Sequence, residues 1–85
     1  MTHILRIQRL QSMISRNTQS INQLHTTIRM YRNIIKDDEK KGKLKHIFEY
    51  APLKRVHELA VQLRFLKAEN ADLREQKKGL LHGMA

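Results

Sequence analysis

The chain has no cysteine and no tryptophan, and its 85 residues include one proline and three glycines. Without cysteine there is no disulfide or thiol chemistry, which fits a reducing compartment. Aromatic residues are only 5% of the chain, and so few glycines and prolines leave little material for the turns of a sheet protein. No apolar run approaches the roughly 18 residues that a membrane-spanning helix needs. We therefore expect an all-α protein that is intracellular and cytoplasmic.

Acidic residues are missing from residues 1–36, although this stretch carries six Arg and Lys side chains. An Arg-rich, acid-free amphipathic start is also typical of a mitochondrial presequence, so the mitochondrion is an alternative location, as is the nucleus. However, the apolar repeat described next continues to Ile35, and a cleavable leader has no reason to maintain it. We expect these residues to belong to the folded domain.

Isoleucine recurs at every seventh position in the first third of the chain, and leucine does so in the last third. A seven-residue apolar repeat lines one side of a helix, which can be buried only against another helix. With Ile7 at heptad position a, positions a and d form one seam that we predict to drive oligomerisation. Its residues are Ile7, Leu10, Ile14, Ile21, Leu24, Ile28, Tyr31, Ile35, Val56, Leu59, Leu63, Leu66, Asn70, Leu73 and Leu80.

The charged residues in the middle of the chain predict where the helices are separated. Gly42 lies in a charged run and is a suitable point of reversal, and Pro52 disfavours helix at the residue before it but can open a new helix. We expect one helical domain over residues 1–85, forming a helical hairpin that dimerises into a four-helix arrangement. Its predicted parts are a helix over about 3–37, a charged turn over 38–43, a short helix over 44–51 and a long helix over 52–81.

A second architecture fits the same repeat. Positions a stay in phase from Ile35 to Val56, across the interruption. A long parallel coiled coil with a loosened centre is therefore the alternative to the hairpin.

The last third of the chain has the pattern of a leucine zipper. Leucine at all four d positions with a single asparagine, Asn70, at a is typical of parallel two-stranded zippers, in which two amides pair across the axis. We therefore predict that Asn70 sets the register of a homodimer. Asn17, at a d position beside Thr18, indicates a hydrated layer or a loosely held part of the first helix.

A second apolar line, formed by Val61, Phe65 and Ala68, runs along the side of this helix away from the leucines. The simplest interpretation is that one face meets a second copy of the chain while the other packs against the first helix or residues 44–51. The alternative is that these are scattered surface residues without a role.

No pattern in the sequence indicates catalysis. The five histidines are widely spread and there is no cysteine, so we expect no metal and no cofactor. His46, Glu49 and Tyr50 could meet on one helical turn, but no nucleophile or glycine-rich phosphate loop accompanies them. We expect no enzyme, no catalytic residues and no small-molecule substrate.

The net charge of +9 predicts attraction to polyanions. We therefore hold two hypotheses: a non-catalytic assembly, adaptor or regulatory protein that binds itself or a helical partner, and a basic homodimer that contacts DNA or RNA phosphates with weak sequence readout. The charge could equally serve solubility, an acidic protein partner or an anionic membrane surface. The candidate phosphate contacts are Arg6, Arg9, Arg16, Arg29, Arg32, Lys36, Lys40, Lys41, Lys43, Lys45, Lys54 and Arg55.

Overall fold

A computed structural model describes residues 2–42 and 51–83, and they form two long helices. Helix α1 is Thr2–Lys40, with 39 residues, and helix α2 is Ala51–Gly83, with 33 residues. At a rise of 1.5 Å per residue α1 is about 58 Å long, which accounts for the longest extent of the molecule, 61 Å. The other two extents, 17 and 15 Å, are those of two helices side by side. The prediction of an all-α helical hairpin is confirmed for the described residues.

The two helices run antiparallel. Leu10 and Ile14, early in α1, form one apolar cluster with Leu73 and Leu80, which lie near the end of α2. At the opposite end of the hairpin Tyr31 lines the same surface pocket as the first residues of α2. The alternative of one long parallel coiled coil is wrong. In that architecture the two helical segments of a chain would follow each other along one axis and would not contact each other.

The core between the helices is one seam wide. Leu59 is its most buried side chain, at 3% exposure, and Ile28 and Leu73 follow closely. Among the described residues no side chain falls below 2% exposure. Two helices can bury only one stripe each against the other, so most of each helix surface faces outward.

Helix α1 extends further than the sequence pattern suggests. Residues 38–40, expected in the turn, are helical, and the Lys41 ammonium bridges the Asp37 carboxylate at 2.9 Å one turn back along the same face. The backbone N–H of Lys41 still donates to the carbonyl of Asp37, at 3.1 Å. These charged residues cannot fill a core, but they are compatible with the solvated end of a helix.

Gly42 ends this last turn. Its N–H donates to the carbonyl of Glu39, and its φ of 70° is in the left-handed region where a side chain would be strained. The predicted short helix over 44–51 lies outside the described residues except for Ala51, which begins α2.

The seam predicts a measurable difference between two identical substitutions. Ile14→Val removes one methylene from a side chain that is 6% exposed, so we expect the free energy of unfolding to fall by about 0.5–1.5 kcal/mol. Ile4→Val makes the same change at a side chain that is 50% exposed, and we expect a change of less than about 0.5 kcal/mol. Urea denaturation followed by circular dichroism measures both; equal losses would contradict the seam.

Candidate interaction surfaces

The predicted seam lies between the two helices of one chain. Six of its fifteen residues are buried, and the other nine are half-buried. The buried ones are Leu10, Ile14, Ile28, Leu59, Asn70 and Leu73; the half-buried ones are Ile7, Ile21, Leu24, Tyr31, Ile35, Val56, Leu63, Leu66 and Leu80. The two apolar ladders therefore cover each other within the hairpin.

Asn70 is the one buried polar residue among the described part of the chain, at 4% exposure. Its Nδ2 donates to the Thr18 hydroxyl at 3.2 Å and, at 3.4 Å, to the carbonyl of Ile14. Thr18 Oγ1 in turn donates to that same carbonyl at 2.8 Å. Asn70, which sequence reasoning assigned to a second chain, thus meets α1 of its own chain.

This polar layer also includes Asn17. Two buried side-chain atoms in the described residues lack a hydrogen-bond partner, Asn17 Nδ2 and Asn70 Oδ1. One is a donor and the other an acceptor, and Asn17 is the neighbour of Thr18, which Asn70 contacts. A shift of register would take the Asn70 amide away from Thr18 and the Ile14 carbonyl, and a buried polar group left without a partner costs about 1–3 kcal/mol.

Sequence reasoning missed the pairing of this layer across the hairpin. Positions 17 and 70 are almost equally far from the middle of an 85-residue chain, so a hairpin folded at its midpoint brings them together. That symmetry was the available signal. The zipper pattern around Asn70 obscured it, because the pattern also fits a parallel pair.

The second apolar line faces outward. Phe65 is 74% exposed and Val61 is 51% exposed, and Ala68 is exposed as well. The three residues are spaced by four and three positions, which places them on one side of α2. The interpretation that one face of this helix packs against α1 therefore applies to the leucines, while no described residue covers the second line.

The candidate phosphate contacts differ in their surroundings. The six cations of the acid-free stretch, which are Arg6, Arg9, Arg16, Arg29, Arg32 and Lys36, are all exposed, as are Lys40 and Lys54. Two others pair within their own helices: Lys41 with Asp37, and Arg55 with Glu58 at 3.1 Å. The hydrogen bond from Lys41 to Asp37 raises the pKa of the Lys41 ammonium. Lys43 and Lys45 lie outside the described residues.

Within residues 2–42 and 51–83 no three His, Asp or Glu side chains come close enough to hold a metal ion. His46, Glu49 and Tyr50 lie outside that part. Neither α1 nor α2 contains a stretch that is long and apolar enough to cross a membrane.

The polar layer predicts opposite effects on stability and register. Asn70→Leu removes a buried, unpartnered oxygen, so we expect the free energy of unfolding to rise by about 1 kcal/mol. The hairpin should then hold its register less strictly. The side chains of Gln11 and Lys77 hydrogen-bond across the hairpin. When both are replaced by cysteine, a short cross-linker should join them, and we expect a lower yield of this product in Asn70→Leu because the register is less strictly held.

Since the natural chain has no cysteine, those two positions alone react. Gln19→Leu, at an exposed position of α1, is the matched control and should leave the cross-linking yield unchanged. An unchanged cross-linking yield in Asn70→Leu would show that this layer does not select the register, and a lower free energy of unfolding would contradict the expected gain in stability.

No protein-family model matches the chain, and comparison with curated proteins and with solved structures finds no match in either. The function is therefore inferred from the side chains alone.

Proposed function

We propose that this protein is a non-catalytic assembly protein that binds a second copy of itself through the outer face of α2, giving a four-helix arrangement. The observation that carries the proposal is the outward Phe65, 74% exposed in line with Val61 and Ala68. A phenylalanine contributes about 1.5–3 kcal/mol when it moves fully from water into an apolar contact. The seam residues are engaged within the hairpin, and Phe65 is the most exposed of the large apolar side chains in the described residues, so this line is the surface that we assign to assembly.

The charges that flank the line favour a second copy in the antiparallel direction. The line continues at the same spacing to Lys54 and Glu58 on one side and to Asp72 on the other, all of them exposed. A two-fold axis midway between Val61 and Phe65 places Val61 of each copy opposite Phe65 of the other copy. The same axis places Lys54 opposite Asp72 of the second copy, and Glu58 opposite Ala68. A parallel pairing would instead set Lys54, Glu58 and Asp72 each against its own like charge.

The thin core supports assembly as well. A chain of this length buries little surface, and small domains without disulfides commonly add stability by association. The described residues bury a single stripe and the chain has no cysteine. A second hairpin laid on α2 would cover part of the apolar surface that is now in water.

The parallel leucine zipper is the competing dimer. It would use Leu59, Leu66 and Leu73, which pack against α1, so the hairpin would have to open first. Opening exposes the apolar seam of α1, and that cost makes the outer face the better candidate.

Self-association predicts that one outward residue decides the molar mass. Phe65→Glu places a carboxylate in the apolar centre of the proposed contact, so we expect sedimentation equilibrium to give a mass near 10.1 kDa, the mass of one chain. Ala71→Glu, also exposed on α2 but off the line, should leave the dimer intact. A dimer that survives Phe65→Glu would exclude the outer face and favour the zipper.

Charge reversal tests the direction of the pairing with the same measurement. Lys54→Glu and Asp72→Lys should each weaken the dimer, because each creates a like-charge pair at both ends. The double variant restores opposite charges and should recover the affinity of the natural protein. Additive losses in the double variant would exclude the antiparallel arrangement.

A second candidate function is nucleic-acid binding, favoured by the exposed cations of the acid-free part of α1. Duplex DNA attracts such a surface through its phosphates without sequence readout. Two assembled hairpins would present the surface twice, which increases the field that steers a polyanion.

Salt dependence tests this second function. If six cations contact phosphates, the affinity for random duplex DNA should fall about a thousandfold between roughly 50 and 200 mM salt. Apolar docking of helices should change little over this range. Fluorescence anisotropy with labelled DNA measures it, and an absence of binding at the lower salt concentration would exclude the function.

A further inference from the structure

A groove between α1 and α2 combines cationic walls with an apolar floor. It has a volume of about 240 Å³ and is lined by His25, Arg29 and Arg32 with Ile28, Ala60 and Leu63. His25, Arg29 and Arg32 are exposed, whereas the other three are buried or half-buried. Within residues 2–42 and 51–83 no acidic residue lines this groove.

We propose that this groove binds an acidic amphipathic helix of a partner protein. The site is distinct from the proposed self-association face, since Ala60 and Phe65 are five residues apart and therefore differ by about 140° around α2. It does not depend on self-association.

The guanidinium groups of the groove are available for a ligand. Among the described residues neither Arg29 nor Arg32 takes part in an ion pair or a side-chain hydrogen bond. Arginine presents a planar set of donors that matches a carboxylate with two parallel hydrogen bonds. Two such groups beside each other, without an acid between them, attract an anionic partner.

The spacing of the cations matches a helix. His25 and Arg29 are four positions apart, and Arg32 follows after three more, so the three groups form one stripe about 10 Å long on α1. Carboxylates spaced by three or four positions on a partner helix have the same repeat. The cationic stripe is thus long enough to contact about two turns of such a helix.

The apolar floor distinguishes a protein from a nucleic acid. Ile28, Ala60 and Leu63 offer van der Waals contact to aliphatic side chains between the carboxylates, in the manner of a helix bound in a groove. Phosphates need no such floor, and none of the described residues that line the groove is a Phe, Tyr or Trp on whose ring a base of a single strand could stack. The small Ala60 side chain lets the partner approach closely.

The probe for this proposal is a labelled helical peptide of about five turns, in which glutamates recur every three or four positions and leucines fill the positions between them. We expect it to bind, and the same peptide with glutamine for glutamate to bind at least about tenfold more weakly. Arg29→Gln with Arg32→Gln should weaken binding of the acidic peptide by at least about tenfold.

The matched control is Arg9→Gln with Arg16→Gln, which removes the same charge from exposed positions of α1 outside the groove. It should change the affinity by less than about twofold. Equal losses in the two double variants would reduce the effect to general attraction and overturn the proposal. Failure of the acidic peptide to bind near 50 mM salt would overturn it too.

A second variant tests the groove without removing a cation. Ala60→Glu places a carboxylate in the groove itself, where it competes with the peptide for the arginines, so peptide binding should be lost while the helix content by circular dichroism is kept. Gln62→Glu adds a carboxylate at an exposed position about 160° from Ala60 around α2, outside the groove, and should leave binding intact. Undiminished binding by Ala60→Glu overturns the proposal, as does binding of duplex DNA that requires Arg29 and Arg32 when the peptide does not bind.

Discussion

Everything in this structure depends on the contact between two apolar stripes, one on each helix. Residues such as Ile14 and Leu73 leave water only because α1 and α2 lie side by side over their length. Neither helix has another described element to pack against, so the helical state of each is coupled to the presence of the other. The outer face of α2 and the groove between the helices exist only while that contact is made.

The same contact limits what the hairpin can bury. A two-helix unit covers one side of each helix, and the outward side must be polar unless something else covers it. Over residues 2–36 of α1 it carries cations without acids, and on α2 it carries Val61 and Phe65. These two kinds of surface suit different partners, because apolar side chains give affinity whereas exposed charge mainly gives orientation and speed of encounter.

The all-helical hairpin could be predicted because the seven-residue spacing in the first and last thirds of the chain indicates a helix with one apolar stripe, whatever that stripe packs against. The partner of each stripe could not be predicted in the same way, since leucines at d with Asn70 at a satisfy a parallel pair as well as an antiparallel hairpin. The difference arises from Thr18 and the carbonyl of Ile14, which accept from Asn70 in the hairpin. The sequence pattern ended α1 too early, because Asp37 and Lys41 are unsuitable for a core but stabilise an exposed helical turn.

The length of the hairpin affects how the protein moves through solution. Its radius of gyration is 18.8 Å, whereas a compact chain of 85 residues would have about 12 Å. A rod of this shape experiences more friction than a sphere of equal mass. Gel filtration calibrated with globular standards will therefore assign a single hairpin a mass that is too high, and elution volume alone cannot separate one rod from two.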